Sequence, residues 1–410
     1  MPLFIYTART KDGKVETGSL EARDQDMLLA MLQERGLLVT SIIQATREEL
    51  ISKTIGKKRH LHYGVKLDDL ILLARQLATL LDAGVPLLRS LMVVSDQVES
   101  STLEKILYLV RKDVEGGLAL SEALKKHPRI FSPFWINLVQ TGEASGQLPF
   151  VFDQIAKYLE EAGALRRKIV SALVYPTILI VAALLTITIF IVRIVPIFER
   201  IFNEFQVQLP LLTLLIIKFS ALVRKYFIFE ILAVVGIIFA IRKFSQTENG
   251  RWILDRWKLK LPLFGNLFLM ISLERFASAF SVLIKSGVPI LYALEIVQKA
   301  SGNKVVESAL EKVKDSVRAG QSMSKPMAET GIFPPIVIEM VEVGEEAGEV
   351  ANMLYRLGIF YKERIDAFIS RFTAAFEPII LIFMGVVIGI IVISMFLPIF
   401  GLASAVRITP

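Results

Sequence analysis

The sequence predicts a mainly α-helical integral membrane protein with two tandem homologous cytoplasmic helical bundles, three transmembrane helices and a small N-terminal α/β element. Three observations carry that prediction. The first is a duplication. Leu80-Leu-Asp-Ala-Gly84-Val-Pro86-Leu-Leu-Arg-Ser-Leu91 reads against Leu283-Ile-Lys-Ser-Gly287-Val-Pro289-Ile-Leu-Tyr-Ala-Leu294, with Gly84 and Gly287 203 residues apart. Gly142-Glu143-Ala-Ser-Gly146 and Gly344-Glu345-Glu346-Ala-Gly348 recur at a spacing of 202, as do Tyr175-Pro176 and Glu377-Pro378. Landmarks that keep one register from Gly84 to Pro176 define a tandem unit, far longer than a solenoid repeat. The second observation is a pair of charge-free runs, Ile169–Val192 over 24 residues and Pro378–Val406 over 29. Either exceeds the roughly 20 residues needed to cross about 30 Å of hydrocarbon. The third is composition. At 53% hydrophobic residues and a mean hydropathy of +0.55 the chain is too apolar to be wholly soluble, yet 21% charged residues require large water-facing parts.

In chain order, residues 1–44 form a small α/β element. Phe4–Ala8 and Val15–Leu20 read as strands joined through Lys11-Asp12-Gly13-Lys14, a turn signal. Asp24 is placed to N-cap a helix running to about Arg35, Gly36 to end it, and Leu37–Ile43 to form a third strand. Residues 45–65 form a linker with a basic cluster at Lys53, Lys57, Lys58 and Arg59, read either as a solvated tether near the bilayer or as a docking strip for an acidic partner. The first bundle is expected over 66–168. Leu70, Leu73, Leu77, Leu80 and Leu81 share one helical face. Gly84-Val85-Pro86 then stops one helix and starts the next. Short helices follow at Thr102–Val114 and Phe134–Gln140, and a longer one at Val151–Lys168 feeds the first span directly. The second bundle is expected over 242–375; within it the copy at about Leu273–Arg371 repeats this order and is preceded by Trp252-Ile-Leu-Asp-Arg-Trp257, whose aromatics suit the membrane surface.

The spans are expected at 169–195, 223–241 and 376–400, with an outer segment at 196–222 and an outer tail at 401–410. The middle one is the weakest. Tyr226–Ile241 is apolar apart from Glu230, and its 16 residues reach only about 24 Å, so Arg224 and Lys225 must snorkel at its outer end. The duplication requires it: the two bundles share a surface type and a compartment, so the chain must return. Arg166-Arg167-Lys168, Arg242-Lys243 and Lys362, Arg364 and Arg371 flank the spans on the bundle side, which places both bundles and the N-terminus in the cytoplasm and the C-terminus in the periplasm. The net charge of +7 suits a protein lying against anionic inner-membrane lipid; there is no basic-aromatic interleaving of the kind that binds nucleic acid. Met1–Leu20 has no apolar core of helical length and so does not read as a signal peptide.

The chemical inventory argues against an enzyme. There is no cysteine, the only histidines are His60, His62 and His127, and neither H-E-x-x-H nor a G-x-x-x-x-G-K-[ST] phosphate loop occurs. No cofactor is expected. The Gly-Glu turns are the sharpest local signal. In one reading Glu143 or Glu345 accepts hydrogen bonds from free amides at the next helix's N-terminus. In the other, Glu143, Glu345, Glu346 and Glu349 face outward to dock a partner, or hold a hard cation with nearby oxygens. Arg193 and Glu230 lie near the outer face, either snorkelling or paired with each other. Glu377 is placed to stabilise the third span's N-terminus through the helix dipole. Pro196 and Pro398, in Val195-Pro-Ile-Phe198 and Leu397-Pro-Ile-Phe400, read as helix stops at the outer interface with phenylalanine as anchor, or as contacts to something crossing the membrane.

These residues together resemble the platform-protein family of type II secretion and type IV pilus assembly. The resemblance runs through the N-terminal Phe4-x-Tyr6-x-Ala8 with Gly13 and Gly18, the signature Arg75-Gln-Leu-Ala-Thr-Leu-Leu-Asp-Ala-Gly84-Val-Pro and its echo at Gly287-Val-Pro289. It continues through the Gly-Glu turns, Tyr175-Pro176, Glu377-Pro378 and Leu209-Pro…Thr213. It implies a non-enzymatic inner-membrane hub that engages a cytoplasmic hexameric assembly ATPase, pilin or pseudopilin subunits and other inner-membrane assembly-platform components, acting as a homo-oligomer. A small transporter or channel subunit is the alternative, and an unrelated membrane scaffold a third. Transporter sites lie between spans and use broken helices or buried charge, whereas here the duplicated mass lies outside the spans.

Overall fold

A computed structural model describes residues 3–9, 15–22, 24–34, 36, 38–44, 62–204 and 209–406. The chain divides into two compact units, residues 1–63 with 99–101, and 64–98 with 102–410. In the first, β1 (Leu3–Arg9) is the centre of an antiparallel sheet of order β2-β1-β3, with β2 at Val15–Glu21 and β3 at Leu38–Gln44. A register shift at Thr7/Ala8 bends the β1–β3 pairing. Alternation puts Phe4, Tyr6 and Ala8 on one face, where they close a small core with Leu28 and Leu32 of α1 (Gln25–Glu34). Asp24 caps that helix, its Oδ1 accepting from the Met27 amide at 2.8 Å.

The larger unit is helical. Its first half comprises α2 (Leu67–Asp82), α3 (Leu87–Gln97), α4 (Ser101–Glu115), α5 (Leu120–Lys125), α6 (Pro133–Ser145) and α7 (Leu148–Ile189). A π-turn at Phe190–Ile194 leads into α8 (Val195–Glu204), then α9 (Leu211–Phe244) and α10 (Glu248–Lys260). The second half repeats the first six: α11 (Phe264–Lys285), α12 (Ile290–Ala300), α13 (Lys304–Arg318), α14 (Ser324–Thr330), α15 (Pro335–Ala347) and α16 (Val350–Val406). The repeat is metric as well as topological. Helical structure runs unbroken for 57 residues in both Leu148–Glu204 and Val350–Val406, each bound shifted by 202.

Each α2–α3 type corner is closed the same way. Gly84 and Gly287 stand at φ +79° and +85°, and the following valines donate back to Leu80 and Leu283 carbonyls at 3.0 Å, with Pro86 and Pro289 opening the next helix. Positive φ costs glycine nothing, which is why the turn demands it. The two bundles do not stand apart: Leu73, Leu77 and Trp135 of the first and Leu273, Phe276 and Leu357 of the second belong to one hydrophobic core. Ion pairs brace it. Arg75 of α2 grips Glu160 of α7 through Nε at 3.0 Å and Nη2 at 2.7 Å, and Asp153 through Nη1 at 2.8 Å. Lys168 of α7 reaches Asp366 of α16 at 2.7 Å.

Three sequence expectations change. Pro196 and Pro398 do not stop their helices. Pro196 follows directly on the π-turn within the continuous Leu148–Glu204 helix, and Pro398, like Pro176 and Pro378, also lies inside a helix, which absorbs the hydrogen bond lost at each. The helix that contains the expected 223–241 span is longer than that span, running 34 residues from Leu211 to Phe244, because Lys218, Arg224 and Lys225 break its hydropathy and not its helicity. Arg224 is instead paired with Glu199 of α8 at 3.1 Å, while the expected partner of Arg193, the Glu230 side chain, lies outside the described residues.

By length and hydropathy Phe264–Lys285 would also cross a membrane, alongside Leu148–Glu204 and Val350–Phe400. Its apolar window, however, is 56% buried inside the protein, against 11% and 17% for the other two. We therefore assign α11 to the bundle core. Apolar side chains on α7, α9 and α16 stay uncovered, with Leu185, Phe229, Phe239 and Ile382 all more than half exposed. Such a surface is stable only under lipid or another apolar partner.

Candidate functional site

The Gly-Glu turns end α6 and α15, and their geometry explains every fixed letter. Gly146 and Gly348 share φ +70° and ψ +15°, the left-handed helix end, and the next residues' amides donate to the Gly142 and Gly344 carbonyls at 2.8 Å. The first glycine of each turn serves contact. A Cβ on Gly142 would sit 3.0 Å from Val151, and one on Gly344 3.0 Å from the Val350 backbone, so the following long helix could not lie as close.

The glutamates cap helices, and the helix is the preceding one and not, as expected, the next. Glu143 accepts from the Leu120 amide at 2.5 Å and from the Ser121 amide and hydroxyl at 3.0 and 2.5 Å, closing the N-terminus of α5. Glu345 does the same for α14, accepting from Met323 and Ser324 amides at 2.6 and 3.2 Å. The reason is local. The residue before α5 is Ala119, which has no capping side chain, whereas the Gln147 amide is already spent on Gly142 and the second residue of the next helix is Pro149, which has no N–H. Among the described residues no group of three or more His, Asp or Glu is placed to hold a metal ion.

Glu346 and Glu349 differ from this pair in being exposed; Glu349 accepts from Asn352 in the first turn of the following helix. With Glu339 and Glu342, also exposed, they make an acidic stripe along α15 and its end. The matching places in the first bundle are Asn137, Gln140, Ala144 and Gln147, all uncharged at neutral pH. The acidic face belongs to the second bundle alone.

A second site lies where α7 and α16 leave the bundles. There Ser171, Ala172 and Tyr175 face Thr373, Ala374 and Glu377 across a shallow groove of about 530 Å³. Each member of one triplet is 202 residues from its opposite number, so the long helices meet here through positions that the duplication makes equivalent. Small side chains permit the approach. Tyr175 and Glu377, which hold equivalent places in the two copies, meet each other here.

Sequence reasoning missed the buried carboxyl of Glu274, on α11. Its Oε1 accepts from Ser278 Oγ at 3.0 Å. Burial raises its pKa, and Glu161 adds to the rise, against the Ser278 hydrogen bond and the charges of Arg275 and Lys362. The neighbouring Tyr158 is pushed up to about 12, first by burial and then by Glu274. Position 274 shares a helical face with Leu267, Met270, Ile271 and Ala277, and a glutamate among those apolar positions was the one signal of it.

The family described as "Type II secretion system (T2SS), protein F" matches residues 73–196 and again 276–398, and "Type II secretion system protein F, N-terminal domain" matches 1–43. The chain is 39% identical over 409 residues, the full length of both, to a type IV pilus assembly protein PilC of Thermus thermophilus. It is 33% identical to a type IV pilus assembly protein PilC of Myxococcus xanthus, over 98% of this chain and 96% of that one. It is also 33% identical to a type II secretion system protein F of Pseudomonas aeruginosa, over 99% of this chain and all of that one.

Proposed function

Because the chain belongs to the type II secretion system protein F family, we propose that it is a non-enzymatic inner-membrane platform that couples a cytoplasmic assembly ATPase to polymerisation of pilins or pseudopilins. The observation that carries the coupling is continuity. The last helix of each bundle runs unbroken from the shared core into an apolar segment, over 57 residues or about 85 Å in α16. A torque or tilt imposed on the bundles is thereby delivered to the membrane as rigid-body motion.

In this reading the spans are α7–α8, α9 and α16, the bundles and N-terminus are cytoplasmic, and the C-terminus is periplasmic. Two facts support it. The bundles share one core and so must lie on one side of the bilayer, which obliges α9 to bring the chain back. Basic residues Arg166, Arg167, Lys168, Arg242 and Lys243 flank the bundle side. The exposed apolar faces of α7, α9 and α16 are left for lipid, further copies of the chain, pilin-like subunits and other platform components.

The ATPase is assigned to the acidic face of α15, where Glu346 and Glu349 are free of the capping duty that holds Glu345. The test is co-retention of the hexameric assembly ATPase by the full-length protein in native membranes. The wild type retains it, and Glu346→Lys with Glu349→Lys lowers retention about tenfold, as expected for reversing two charges at an interface. A wild type that retains no ATPase overturns the platform reading; a charge-reversed variant that retains it fully moves the docking face elsewhere.

A further inference from the structure

The second bundle carries a surface that the duplication does not explain. α10 follows α9 after only Ser245–Thr247, and Thr247 caps it by accepting from the Gly250 amide at 3.1 Å. Three residues reach at most about 10 Å, so on the reading that α9 spans the membrane, α10 is tied to the bilayer surface. Its only buried residues are Gly250 and Asp255. Trp252, Arg256 and Lys260 form one four-residue ladder along it and Ile253, Trp257 and Leu261 the adjacent one, and together they line a groove of about 640 Å³. The Arg256 guanidinium lies over the Trp252 ring at 5.0 Å, while Trp257 is 69% exposed.

The charges on this helix are sorted. Asp255 is turned inward, accepting from the Lys304 amide at 3.0 Å and held by Lys258 at 2.8 Å. Beyond the exposed Glu248 of the first turn, that leaves Arg251, Arg256 and Lys260 on the exposed side, with Arg242 and Lys243 at the adjoining end of α9. Past the helix, Leu263 is the one non-glycine among the described residues with positive φ, at +68°, and is 77% exposed. An apolar side chain is thus held out in water on a backbone that L-residues avoid. The segment ahead of the first bundle has no tryptophan, so the feature belongs to the second copy only.

We propose that this groove is a clamp for anionic phospholipid headgroups, with Arg256 and Lys260 on the phosphate, Trp252 and Trp257 in the headgroup layer and Leu263 dipping into the acyl region. Cations beside exposed indoles match that layer in charge and in polarity gradient, and covalent attachment to the end of a span keeps the groove there. The inference rests on α9 being a span.

The test uses full-length protein with Trp135→Phe, which leaves only Trp252 and Trp257 to emit. It is reconstituted into vesicles of phosphatidylcholine and phosphatidylglycerol in which one lipid or the other carries bromine on its acyl chains. Quenching is expected to be about twofold or more stronger when phosphatidylglycerol is brominated, and Arg256→Glu with Lys260→Glu should bring the two lipids to parity. Equal quenching by both lipids in the parent, or none, overturns the clamp. Emission that is unquenched but changes with protein-to-lipid ratio assigns the face to a second copy and also overturns it. Ile237→Cys, in a chain with no other cysteine, separates this from the topology. If the thiol resists an impermeant maleimide while the indoles go unquenched, the clamp alone fails; if it reacts, the span reading fails first.

Discussion

Glu274 shows how one residue can be set against the fold that holds it. It is 5% exposed in a core of apolar helices, and its surroundings combine a hydroxyl from Ser278, cations from Arg275 and Lys362 and a like charge from Glu161. Burial outweighs the favourable partners and the pKa rises. The sign of the consequence follows from linkage. A carboxyl whose pKa is higher folded than unfolded binds its proton more tightly in the fold, so stability is greatest while the group is protonated. It falls as pH rises from the ordinary glutamate range through the raised value, above which the full penalty applies. Glu274→Gln, neutral at every pH, is therefore expected to be more stable than the parent at neutral pH, with the advantage vanishing in acid below the ordinary glutamate range. Melting temperatures of both proteins across that range check it, and an advantage independent of pH would refute the assignment.

At the scale of elements, the short helices α5 and α14 are the parts least able to stand alone. Six and seven residues lie below the length at which helix formation is self-supporting. What holds them is a carboxylate delivered from the next helix, Glu143 to α5 and Glu345 to α14. Glu143→Ala is expected to cost about 1–2 kcal/mol, the range for loss of a capping acceptor bonded by a charge, and Glu143→Gln less, since the amide oxygen still accepts. Hydrogen exchange reads this locally. Amides of Leu120–Lys125 should lose protection in the alanine variant while those of α2 keep theirs; unchanged exchange at Leu120 and Ser121 would refute the cap.

For the molecule as a whole, the decisive feature is that the two bundles share a core while each extends into its own apolar segment. The helices meet again just beyond the bundles, at Lys168–Asp366 and around the Tyr175–Glu377 groove, so any motion of one bundle relative to the other must pass through that crossing. Four glycines inserted after Ala374 would break α16 there without touching the acidic face of α15. Helix propensity falls by about 1 kcal/mol per glycine, enough to make the junction a flexible joint. The expected outcome is retained ATPase with loss of pilus assembly or secretion. Full assembly by the inserted protein would show that the continuous helix is not the transmission.

Several features were legible in the sequence because they are written within a few residues of one another. The duplication, the charge-free runs, the Asp24 cap and the Gly-Val-Pro corners are of this kind, since a helix end or an apolar run depends on neighbours at most a turn away. The Gly-Glu turn was legible as a turn, but not the destination of its carboxylate, which lies more than twenty residues back in the chain and was chosen by an uncapped Ala119. Tertiary structure alone decided that Arg75 grips Glu160 and that α11, apolar enough to cross a membrane, is buried in protein instead. It also decided that both bundles form one core and that the last helix continues through Pro398. In each case the deciding quantity is which surfaces are desolvated together, and packing between residues tens to hundreds of positions apart, not local composition, determines that.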